Sequence, residues 1–328
     1  MIDLDSPGYL PFELDPALGR MTLLRMSEAD YRAASFLDQR LLGPNSTLIE
    51  TEWDKLVLPA GARRDAQYIF HIGNVGSTLI SRLLGELPQV FALREPLLLR
   101  TFAESPPAAP SFDRLTALLS RTFRPEQRAN VKATSFTSEI ADRLVPTGSK
   151  ALFLYARPDR YLENILAGEN SWQTLQVLSP IRLARLQSRC PGLEADPATM
   201  HDGLKAALGW ACEMTSMGAA AARMPDGAIL WLDFDTFLAD PALHFGTVAA
   251  HFGHDADEAT ARGIVEGPLM GRYSKALDYE YSPALRREIL ADARFRHGGA
   301  IRDGLNWLGG LASRYPAVAD AIRRARGT

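Results

Sequence analysis

The sequence predicts a three-layer α/β fold: a mostly parallel central sheet flanked by helices, with an N-terminal helical extension in front of it. Three observations lead to that class. From Tyr68 onward, short apolar runs alternate with longer amphipathic ones, which is how parallel strands joined by crossover helices read. The first of those runs passes through a tight glycine turn straight into an apolar helix. And 328 residues, 46% of them hydrophobic, suffice for a full buried core in one large domain or two modest ones.

Taken in order, residues 1–60 form the extension and residues 61–328 the main domain. The extension starts proline-rich, and 27–42 then carry an apolar stripe at helical spacing with Ser27 placed to cap it. Strands are predicted at 68–72, 90–93, 130–133, 151–156 and 228–232, and helices between them at 78–87, 111–123, 138–144 and 159–167. A helical stretch covers 175–224 with a proline turn at 191–197, and three further helices follow Pro241, Ser282 and Ala300. The proline-rich run 105–110 reads as an exposed loop, because proline supplies no ladder donor. No internal repeat stands out.

Charge and cysteine usage narrow the partners. With 36 Lys plus Arg against 39 Asp plus Glu, the net charge is -3, which speaks against nucleic acid or a membrane surface as a general partner. Any anion site must therefore be local. The first residues carry acids where an export signal would carry a basic end and an apolar core, and apolar runs such as 151–156 are too short to span a bilayer. Cys190 and Cys212 lack C-x-x-C spacing and read as buried thiols in a reducing compartment, so a cytoplasmic location is expected. Oligomeric state is not legible.

Five segments have the chemistry for a site. In Gly73-Asn74-Val75-Gly76-Ser77-Thr78-Leu79, two glycines let the backbone turn, and the N–H groups of residues 74–79 with the hydroxyls of Ser77 and Thr78 suit a phosphate at a helix N-terminus. The plainer reading is a strand-to-helix turn capped by a hydroxyl. A nucleotide-triphosphatase loop would place Lys after the second glycine, and here Ser77 follows Gly76 directly. Glu95 comes at the carboxyl end of an apolar run, the edge where open α/β sheets bind ligands, and is placed to take a proton from a hydroxyl; pairing with Arg94 or Arg100 is the alternative. It lies near the glycine turn if the two strands are neighbours. Arg157 ends the run 151–156 and offers a planar fork for phosphate, with Asn164 about two turns further on; an ion pair with Asp159 is the alternative. Asp233 ends an apolar run as a metal-holding aspartate would, while Asp235, Asp240 and Pro241 fit a turn and a helix start. Arg272, Ser274 and Lys275 lie in a basic, tyrosine-rich loop suited to an anionic nucleotide, or to plain solvation. His251 and His254 are separated by Gly253 and make a poor metal pair, and no G-x-S-x-G elbow is present.

The order of these pieces resembles the sulfotransferase family: a strand, a turn with Gly76-Ser77-Thr78, an apolar helix, a strand ending in Arg157-Pro158, then Asp233-Phe234-Asp235, Asp240-Pro241 and Phe252-Gly253. The likeness covers 68–282, with each motif loose. It implies a three-layer P-loop fold and a bacterial-like member with a divergent phosphate loop, moving a sulfonate from 3′-phosphoadenosine 5′-phosphosulfate (PAPS) to a hydroxyl or amine. On the resemblance, residues 74–79 hold the donor's 5′-phosphosulfate and Glu95 is the general base. Arg157 and Asn164 meet the 3′-phosphate, Arg272, Ser274 and Lys275 help position the nucleotide, and no metal is needed. The family's loop begins with Lys or Arg where this chain has Asn74, and Lys132 is the candidate to supply that charge. In the 3′-phosphate motif Arg157 stands one residue out of register, and Asn164 replaces a serine. The acceptor, whether small molecule, carbohydrate or lipid, is left open. Two alternatives remain: a kinase or nucleotidase using Asp233 and magnesium, and a non-catalytic nucleotide-binding protein on the same fold.

Overall fold

The structure, a computed structural model, describes residues 4–273, 278 and 280–327, with the side chains of 169–173 outside that description. Its centre is a five-stranded parallel sheet in the order β5-β6-β4-β7-β8. The strands are β4 (Gln67–His71), β5 (Val90–Arg94), β6 (Arg128–Lys132), β7 (Ala151–Tyr155) and β8 (Ile229–Asp233). All five predicted strands are present, shifted by a residue or two. In β4, β5 and β7 every residue is buried, which explains why these runs show no alternation: helices cover both faces. Edge strand β8 is only half covered.

The chain enters the sheet at the central strand β4, steps out to β5, returns through β6 beside β4, and crosses to β7 and β8. The crossovers therefore leave β4 in opposite directions, and a crevice is expected at its carboxyl end. The helices that cover the sheet include α2 (Ser77–Leu84), α3 (Leu97–Glu104), α4 (Ala109–Leu119) and α5 (Ala141–Leu144), following the short α1 (Glu28–Ala33). Next come α6 (Pro158–Ala167), α7 (Glu169–Arg189) and α8 (Asp202–Ala221), the last two being the predicted stretch split at its proline turn. Beyond β8 lie α9 (Phe234–Ala239), α10 (Pro241–His251), α11 (Glu258–Val265), α12 (Pro283–Ala312) and α13 (Pro316–Arg326). Helix α12 breaks at His297, so the two helices expected from Ser282 and Ala300 form one kinked run. It rests on α8 through a close approach in which a Cβ on Gly203 would stand 2.1 Å from the Ala300 carbonyl oxygen.

Of the helical segment expected over 27–42, only its start forms an α-helix, α1, with Ser27 and Asp30 in a reciprocal capping box; the chain leaves the helix at Ala34 and makes a single 3-10 turn at Gln39–Leu41. The extension also holds a three-stranded antiparallel sheet that the sequence reading did not list: β1 (Tyr9–Asp15), β2 (Arg20–Arg25) and β3 (Leu48–Glu52). Leu10, Phe12, Met21, Tyr31 and Leu37 from this region join the same core as the central sheet. Cys190 and Cys212 are free and buried, and burial pushes the Cys212 thiol up to about 12. Among the described residues no helix is long and apolar enough to cross a membrane.

Candidate functional site

The glycine turn forms a cradle at the carboxyl end of β4. Gly73, Asn74 and Gly76 all have left-handed backbone (φ 89°, 53° and 69°), the run of turns that points successive N–H groups to one side. Gly76 cannot be replaced without conflict: a Cβ there would lie 2.0 Å from the Phe234 ring. No side chain caps α2, so the N–H groups of Ser77, Thr78 and Leu79 have no partner within the helix. Thr78 Oγ1 and Ser81 Oγ are buried and make no hydrogen bond to protein. An orphaned hydroxyl beside an uncapped helix start suits an anion. Val75 is fully buried, so only its backbone faces the cradle.

Glu95 and Lys132 come together. Strands β5 and β4 are not neighbours, as the placement of Glu95 near the turn had required; β6 lies between them, so Glu95 stands about 10 Å across the edge from β4. Lys132, at the end of β6, fills that interval. Its fully buried ammonium ion-pairs with the Glu95 carboxylate, whose side chain is 14% exposed. The Glu95 N–H donates to the Lys132 carbonyl at 2.7 Å, and Glu95 itself is left-handed at φ 54°. Its alternative partners are engaged elsewhere: Arg100 pairs with Glu104, and buried Arg94 donates to the carbonyls of Tyr31, Arg32 and Ala34. Burial pushes Arg94 down to about 9, which still leaves it charged at neutral pH.

Those Arg94 bonds strap the extension to the site. Leu37 donates to the Arg94 carbonyl at 2.7 Å and accepts from Leu97 N–H at 3.0 Å, bracketing Glu95. Phe36 then places its ring 5.8 Å from the Lys132 ammonium. Burial alone would raise the Asp38 carboxyl, but hydrogen bonds from Arg40 and the charges of Arg40 and Lys132 bring it below its ordinary value.

The predicted nucleotide contacts fare differently. Arg157 is half exposed and meets Asp159 at 3.4 Å, the plainer of its two readings. Asn164 lies partly buried in α6. Arg272 is exposed and its backbone bridges to Glu280, while Ser274 and Lys275 lie outside the described residues. Asp233 accepts from Thr236 N–H at 2.9 Å as the cap of α9, and burial raises its carboxyl, the opposite of what a metal-holding carboxylate needs. Asp240 caps α10 in the same way. Among the described residues no group of three His, Cys, Asp or Glu gathers as a metal site.

Two arginines near the cradle escaped the sequence reading. Arg286, on α12, lies 5.6 Å from the centroid of the Phe234 ring that packs on Gly76, and it meets Asp235 at 2.7 Å. Arg160 reaches the same Asp235 at 3.3 Å and Glu163 at 2.9 Å. The residue i+3 from Arg157 was visible as a charge, but nothing local indicates that α12 folds back onto it.

No protein-family model matches the chain, and no curated protein matches it either. Among solved structures, a mouse sulfotransferase complexed with PAP aligns at 12% identity over 81% of this chain and 89% of that one, with a TM-score of 0.43. A sulfotransferase from Mycobacterium avium aligns at 13% identity over 72% and 77%, with a TM-score of 0.42. The sulfotransferase domain of the Synechococcus PCC 7002 olefin synthase aligns at 14% identity over 72% and 90%, with a TM-score of 0.43. Likenesses this distant assign neither family nor reaction to the chain.

Proposed function

We propose that the protein is a sulfotransferase that moves a sulfonate from PAPS to a hydroxyl. One observation carries the reading: a phosphate cradle with an orphaned buried hydroxyl and a lysine-held carboxylate share one edge of the same sheet. The donor supplies the sulfonate and a bisphosphate leaving group. The backbone N–H groups of Ser77, Thr78 and Leu79, with the Thr78 hydroxyl, hold the 5′-phosphate and absorb the charge that grows on it as the sulfur–oxygen bond breaks. Glu95 takes the acceptor's proton as the acceptor oxygen bonds to sulfur, and Lys132 fixes the carboxylate for that step. Asn74 offers an amide where a cation would stand, which leaves charge neutralisation to the helix start.

The magnesium-dependent kinase reading is not favoured, because Asp233 caps a helix and the cradle has no lysine of its own. Replacing Glu95 with Gln tests the assignment. Glu95→Gln is expected to abolish turnover of labelled donor while the affinity for 3′,5′-bisphosphoadenosine stays within about twofold. Equal loss of both would remove Glu95 as base.

A further inference from the structure

The proposed reaction makes no use of a buried, ion-rich contact behind the loop that leaves β6. That loop, residues 133–137, touches the phosphate cradle twice. His71 bridges the two: its Nδ1 accepts from Gly73 N–H at 3.1 Å, so its Nε2 carries the proton donated to the Ala133 carbonyl at 2.9 Å. Ser135 Oγ lies 3.3 Å from the point where a side chain on Gly73 would begin. Immediately afterwards the chain turns through Phe136 at φ 97°, a left-handed value that an aromatic residue holds only when its surroundings impose it.

Helices α7 and α8 impose it. The Phe136 N–H donates to Glu213 Oε2 at 3.2 Å, and the Phe136 carbonyl accepts from Arg185 Nη1 at 2.7 Å. The same guanidinium sits 3.5 Å from the centre of the Phe136 ring. Glu213 is 2% exposed, and Arg182 stands 3.4 Å from its other oxygen. Tyr161, Cys212 and Glu139 complete its surroundings. Burial pushes the Glu213 carboxyl up, while Arg182 and Arg185 oppose the shift. Removing one partner of such a buried pair leaves the other charge uncompensated, so the pair and the turn it holds stand or fall together.

We propose that Glu213 is a positioning residue for the phosphate cradle: by fixing the left-handed turn at Phe136 it holds Ser135 against Gly73. The inference rests on the phosphate reading of that cradle. It is tested by calorimetric titration of the full-length protein with 3′,5′-bisphosphoadenosine, each variant first shown to unfold cooperatively in urea. Glu213→Leu, which removes the acceptor of the Phe136 N–H, is expected to weaken binding about tenfold. Glu213→Gln keeps an oxygen for that N–H and is expected to stay within about threefold of wild type, although it loses the charge facing Arg182 just as leucine does. Wild-type affinity in Glu213→Leu, or an equal loss in Glu213→Gln, overturns the proposal. Should Glu213→Leu fail to fold, Ser135→Gly decides, because it removes both the Oγ and the Cβ that stand at Gly73: a loss of about fivefold or more supports the contact, and unchanged affinity removes it. If the wild-type protein itself binds no bisphosphoadenosine, the parent reading falls and this one with it; if it binds and the variants bind equally, only this one falls.

Discussion

Asn74, Glu95 and Phe136 are the non-glycine residues with left-handed backbone among those described, and each follows the carboxyl end of one of three adjacent strands, β4, β5 and β6. Such angles cost of order 1–3 kcal/mol each and persist only where surrounding contacts over-determine them. Here those contacts are the Lys132 carbonyl and Leu37 around Glu95, and Glu213 with Arg185 around Phe136. Gly76 belongs with them, since only a missing side chain lets Phe234 lie on the turn. Gly76→Ala is expected to lower unfolding stability by about 2–4 kcal/mol, from a strained φ and an overpacked ring together. The urea midpoint measures it, and a variant as stable as wild type would mean that Phe234 does not pack there.

Strands and loops differ in what they reveal locally. The five parallel strands were legible because burial on both faces makes them dense apolar runs, and the cradle because two glycines interrupt one of those runs. The N-terminal sheet was not. Strand β1 carries Pro11 and a register shift between Pro11 and Glu13, and β3 is largely exposed, so neither shows a clean pattern. The pairing of Glu95 with Lys132 needed β6 to lie beside β5, and the roles of Arg286, Arg94 and Glu213 depend on contacts between residues far apart in sequence. Even where residues were visible, their partners were not.

At the same scale, His254 joins the segment after α10 to β4 through Gln67 Oε1 at 3.0 Å. Burial, helped by Arg128, pushes its pKa down to about 4. The unfolded chain would protonate this imidazole near 6.5 while the folded protein keeps it neutral, so the stability it contributes is full above that pH and is lost as pH falls toward 4. The expected loss is about 1–2 kcal/mol, less than the full shift implies because water reaches part of the ring. His251, also pushed down by burial, adds in the same direction. Urea midpoints between pH 7 and 4 should fall more steeply in wild type than in His254→Gln. Parallel profiles would remove His254 as a source of the acid sensitivity.

Across the whole molecule, one continuous core includes the extension and the parallel sheet, and the strap at residues 31–38 ends beside Glu95 and Lys132. With a net charge of -3, the chain offers no general attraction for anions, so the proposed phosphate site depends on the local helix start, hydroxyls and turn. Thermal unfolding with and without ligand tests that dependence most directly. A ligand at a hundred times its dissociation constant stabilises by about 2.7 kcal/mol. 3′,5′-Bisphosphoadenosine is expected to raise the melting temperature by several degrees without added metal, and ATP with magnesium is not. No shift with the bisphosphate, or a shift only with ATP and magnesium, would contradict that expectation.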